Sequence, residues 1–84
     1  MRSPLEEIPG VGKRTAAVME AVGIRQVSDL RGRDPEELYL QECLMKGYQE
    51  DRCALYVWRA AVYYADHEVR APEKLNWWYW KDKP

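Results

Sequence analysis

The 84-residue chain predicts a compact all-α domain of five short helices with an aromatic C-terminal tail packed on the core, and three observations predict it. Helix-entry and helix-exit residues recur along almost the whole length. Apolar residues between them fall at helical spacing, and no run alternates with period two or carries an Asn-Gly hairpin turn. At 9.9 kDa the chain is one domain's worth of protein. A chain this small buries only about 60% of the surface its unfolded form exposes, so the four Trp and six Tyr, with no Phe, must supply much of its core.

The first helix is announced by Ser3 as N-cap, Pro4 at the first helical position and Glu6 closing a capping box, and it should run to about Ile8. Pro9-Gly10-Val11-Gly12 interrupts it. The second, Lys13 to Val22, sets Ala16, Met19 and Val22 on one face, and Gly23 stops it with Ile24 packing back. Ser28 is read as the cap of a one-turn helix through Leu30, ended by Gly32. Asp34, Pro35 and Glu37 repeat the entry logic for a fourth helix reaching Met45 or Lys46 before Gly47.

The fifth helix, over residues 50–67, is the longest, and Cys53, Val57, Ala60, Ala61 and Tyr64 are its expected core face. Between Ala54 and Ala65 only Arg59 is charged, so it needs an acidic or aromatic partner. Pro72 marks the end of helical continuity. The Leu75–Trp80 segment is too aromatic for a free terminus, and it should close the core rather than offer its Trp rings to unpaired bases. The chain thus divides into residues 1–33, a second helical pair over 34–68 and the tail, 69–84, within one domain.

The formal net charge of -1 and a pI near 5.8 exclude a globally basic nucleic-acid binder. The charge is unevenly placed. Residues 1–33 carry six basic and four acidic side chains, whereas residues 34–84 carry seven and ten. No apolar run is long enough for a membrane span and no signal-peptide pattern opens the chain, which predicts a cytoplasmic monomer. Cys43 and Cys53 are expected as buried free thiols, and with His67 they lack the ligand number and spacing of a zinc site. His67 is expected to favour the dipole of a helix end. No nucleophile-base constellation is present, so neither a metal, a cofactor nor an enzymatic activity is expected.

The element with a mechanism is Ile8-Pro9-Gly10-Val11-Gly12-Lys13. Its glycines permit a tight turn and close approach of a ligand, Val11 anchors the turn, and amides from Gly10 onward lie at a helix start suited to phosphate oxygens. Lys13 and Arg14 add positive charge. With the flanking caps and the Ala16 to Gly23-Ile24 pattern, residues 3–30 resemble a helix-hairpin-helix module. That resemblance implies non-sequence-specific contact with the phosphates of duplex or branched DNA through Gly10, Val11, Gly12, Lys13 and Arg14. The later pair, joined at Lys46-Gly47-Tyr48-Gln49, reads as a degenerate second copy without the second glycine.

Nearly the whole chain is similar to the small bacterial pathogenicity-locus and mitomycin-resistance proteins. The similarity is carried by Ile8 to Gly12, Leu30-Arg31-Gly32, Asp34 to Tyr39, the Asp51 to Ala65 run and the Trp77 to Trp80 tail. It implies a link to DNA damage. The alternative is a protein-interaction module, an accessory subunit that meets its partner through the aromatic tail or the acidic second half without touching DNA.

Overall fold

Prolines decide where helices cannot continue. The residue before a proline is pushed out of the α region, and Ile8, Asp34 and Ala71 are all extended, with ψ of 125°, 114° and 124°. In the computed structural model, which describes residues 3–82, these positions divide the chain. A 3₁₀ turn spans Pro4–Glu7, helix α1 Lys13–Ala21, a second 3₁₀ turn Val27–Leu30, α2 Pro35–Lys46 and α3 Arg52–Asp66. Two further 3₁₀ turns, Pro72–Leu75 and Trp77–Trp80, form the tail, whose residues 83 and 84 lie outside the described range.

The five-helix expectation is therefore corrected. Among the described residues there are three α-helices and no strand. The expected first and third helices are single 3₁₀ turns, and the first has a plain cause: Pro9 forces Ile8 out of the helix, leaving four residues after the cap. A two-helix hairpin and a degenerate copy of it both need an α-helix there. The structure has instead one 3₁₀ turn before α1.

Most local signals act where the sequence put them. The Ser3 hydroxyl accepts from Leu5 N–H at 3.3 Å while Ser3 N–H donates to Glu6 at 3.0 Å. Asp34 accepts from Glu36 N–H at 3.0 Å, and Asp51 caps α3 by accepting from Cys53 N–H at 2.8 Å. Glu37 does not close the expected box; its carboxylate accepts from Gln41 at 3.1 Å. Nor does Ser28 cap its turn, where Asp29 accepts from the N–H groups of Arg25 and Gln26. Gly23 ends α1 with Ile24 N–H donating to Met19 at 2.9 Å, and Ile24 is fully buried.

α3 is the axis of the molecule, touching α2, the Val27–Leu30 turn and both tail turns. Its inward face is the expected one only in part. Leu55, Trp58, Ala60, Ala61, Val62 and Ala65 are buried, so Ala60 and Ala61 of the expected face point inward, whereas Val57 and Tyr64 are half-buried and Cys53 is exposed. The stripe is rotated because elements pack on both flanks of α3, so the fully buried Trp58, not Cys53, sets its centre. Cys43 is half-buried, so neither thiol is the buried one expected.

After α3 the chain turns back. His67 caps the helix, its Nδ1 3.0 Å from Tyr63 O and its ring stacked on Tyr63 at 4.5 Å. Arg70 lies 3.6 Å over the Tyr64 ring, and Ala71 N–H donates to the Tyr63 hydroxyl at 2.9 Å. The tail packs along α3 as expected, yet none of its described residues is fully buried. No helix is long and apolar enough to cross a membrane among the described residues.

Candidate functional site

The turn before α1 is built from backbone. Gly10 adopts φ +83°, which a side-chain-bearing residue rarely tolerates, and a Cβ added there would meet no atom within 4 Å, so the backbone alone demands glycine. Val11 is buried and its N–H donates to Ile8 O at 3.0 Å, which fixes the turn and uses that amide internally. The donors on offer are thus those of Gly10, Gly12, Lys13 and Arg14. Gly12 is the N-cap of α1 and supplies no side-chain cap, so the first-turn amides have no acceptor among the described residues.

Gly10, Gly12, Lys13 and Arg14 are all exposed. No carboxylate among the described residues pairs with Lys13 or Arg14. The acidic side chains of the preceding 3₁₀ turn are engaged elsewhere: Glu6 accepts from Ser3 N–H, and Glu7 accepts from the Tyr64 hydroxyl at 3.2 Å. All five residues singled out from the sequence are consecutive on this turn, so the fold brings them together by default. What it adds is the exposure of all but Val11, with no ion pair to Lys13 or Arg14 among the described residues.

A polar network lies behind the turn. Arg14 lines a cavity of about 230 Å³ shared with Glu42, Lys46 and Glu50. Glu42 is buried, accepts from Trp58 Nε1–H at 2.8 Å and pairs with Lys46 at 2.7 Å, and Lys46 reaches Glu50 at 2.7 Å as well. The hydrogen bond to Glu42, reinforced by Glu50, raises the Lys46 ammonium pKa above its ordinary range. The hydrogen bond from Lys46 lowers that of Glu50. Every polar atom buried here is satisfied, so the network reads as structure.

A family model described as Pathogenicity locus matches residues 2–84. The chain belongs to the Pathogenicity locus family. Over 78 residues it is 33% identical to mitomycin resistance protein McrB of Streptomyces lavendulae, an overlap covering 93% of this chain and 70% of that one. No solved structure matches.

In this Pathogenicity locus chain the aromatic tail returns to the glycine turn. Pro9 and Gly10 face Trp77 and Trp78 across a crevice of about 260 Å³. Sequence reasoning placed these Trp rings in the core and missed the crevice, because nothing in the local pattern brings residue 78 beside residue 10. Its only trace in the sequence is a surplus of Trp over what so small a core can enclose. Among the described residues no three His, Cys, Asp or Glu side chains converge as a metal site.

Proposed function

We propose that this protein binds the sugar-phosphate backbone of DNA without reading its sequence, as part of resistance to DNA damage of the kind that mitomycin causes. The observation that carries the reading is the exposed, uncapped first turn of α1 beside two cations that no carboxylate among the described residues neutralises. Backbone amides and the positive end of a helix suit a phosphate oxygen. The name of the Streptomyces relative supports the link to DNA damage. The role is binding without catalysis.

One turn reaches about two phosphates, so affinity should be weak and log K should fall with log salt at a slope of roughly -2. Anisotropy titration of labelled blunt duplex at low salt checks this. Lys13→Ala with Arg14→Ala should flatten the slope and abolish measurable binding, and indifference to sequence should accompany it. No duplex binding at low salt, or binding unchanged in the double variant, refutes the reading.

A second reading is favoured by one observation: α2 leaves Leu40, Leu44 and the following Tyr48 exposed at 59%, 81% and 58%, an apolar stripe at four-residue spacing. This face suits a protein partner. Leu44→Glu leaves DNA binding intact if the turn is the working surface and abolishes partner recovery if the stripe is.

A further inference from the structure

The crevice between the glycine turn and the tail has the chemistry of a base-stacking site. Pro9 and Gly10 form one lip, Trp77 and Trp78 the other, and the small side chains of Ala60 and Ala61 leave its floor open. Trp78 is 55% exposed and meets Trp77 edge-on, with ring centres 5.7 Å apart and planes at 84°. The tail could have tucked this indole inward, as its composition suggested, yet it leaves the ring at the crevice. The half-exposed indole leaves a flat aromatic face open at the mouth of the crevice.

The surroundings say what covers it. Lys81 Nζ lies 5.5 Å from the Trp77 ring centre on the tail side, and Lys13 stands three residues after Gly10 on the turn side, whereas Arg14 lines the separate cavity with Glu42 and Glu50. Neither Lys81 nor Lys13 has an ion-pair partner among the described residues. Asn76 lines the same crevice, and its side-chain amide makes no capping hydrogen bond to the turn that follows it. An aromatic face between cations matches a ligand that is itself a flat ring between phosphates. A peptide or an acyl chain would fill the apolar floor but leave the flanking charges unanswered.

We propose that this crevice takes an unpaired DNA base, so that the preferred substrate is an end or junction carrying single-stranded nucleotides rather than intact duplex. The inference rests on the backbone-binding reading. Gly10 belongs to both surfaces: it lies on the turn whose amides are offered to the phosphate, and it also lines the crevice.

Three probes separate the two readings: a blunt duplex, the same duplex with a short dT overhang, and free oligo-dT, each followed by anisotropy and by Trp emission. The overhang should bind about tenfold more tightly than the blunt duplex and quench Trp emission, whereas the blunt duplex leaves emission unchanged. Trp78→Ala should remove that advantage while keeping blunt-duplex affinity, which also reports that the variant is folded. Trp78→Phe, which keeps a ring, should restore most of it. Equal affinity for blunt and overhang probes, or an advantage that survives Trp78→Ala, overturns the crevice and leaves backbone binding standing. Overhang or oligo-dT binding that depends on Trp78 but not on Lys13 and Arg14 overturns backbone binding and leaves the crevice. If no probe binds, both are wrong. Should Trp78→Ala fail to fold, the wild-type quench decides, and its absence with the overhang rejects the proposal.

Discussion

Glu42 shows how one side chain can organise a small core. It sits on α2, yet one oxygen accepts the indole N–H of Trp58 on α3 and the other holds Lys46. Trp58 is the largest fully buried side chain, and its N–H must find a partner once removed from water. Glu42→Ala leaves that N–H unanswered and Lys46 with Glu50 alone, and should cost about 2 kcal/mol in urea denaturation. Glu42→Gln keeps an acceptor for Trp58 and should cost less. Equal losses for the two variants would assign the effect to packing alone. Little of this was legible: the Glu42 and Lys46 spacing suggests a helix-surface pair, and only the approach of α3 turns it inward.

At the scale of elements, termini were read well and helix types less so. Pro35 and Gly47 bound α2 as expected, and Gly47 takes φ +78° with open space where a Cβ would stand. Gly47→Ala therefore meets no clash and pays only for the left-handed backbone, about 1 kcal/mol by thermal or urea unfolding. A neutral or stabilising result would mean that the helix end rearranges. Proline acts twice at Pro9. It marks the start of the turn, and its stronger effect is on Ile8, whose extended backbone reduces the expected first helix to one 3₁₀ turn.

The whole molecule is closed by a clamp that no local pattern announces. Asp82 accepts from Arg52 and Arg59, and from Tyr56 at 3.3 Å; Arg59 also donates to Trp80 O at 2.9 Å and reaches Glu36 at 3.4 Å. One arginine thus joins α2, α3 and the tail, which meets the need for a partner inferred from its isolation in an apolar helix. Hydrogen bonds from Arg52 and then Arg59 pull the Asp82 carboxyl down to about 2. Because its folded value is depressed, the clamp is complete above the ordinary carboxylate pKa of about 4 and is lost as pH falls through the folded value. Trp emission should therefore be flat from neutrality to about pH 4 and change below it. Asp82→Asn should show the released signal already at neutral pH. Matching acid profiles for wild type and Asp82→Asn would dismiss the clamp.

Where helices begin and end was determined by the sequence itself, since caps, prolines and glycines act through sterics and hydrogen bonds within a turn of the residue concerned. The same local reach explains why Gly10 to Arg14 stand together on one turn, with Val11 turned inward. Tertiary structure alone decided which face of α3 points inward, where Glu42 finds its partners and that Trp78 stands across a crevice from Gly10. Those outcomes depend on residues far apart in the chain, and their relative positions follow from how helices of fixed shape fill a shared core.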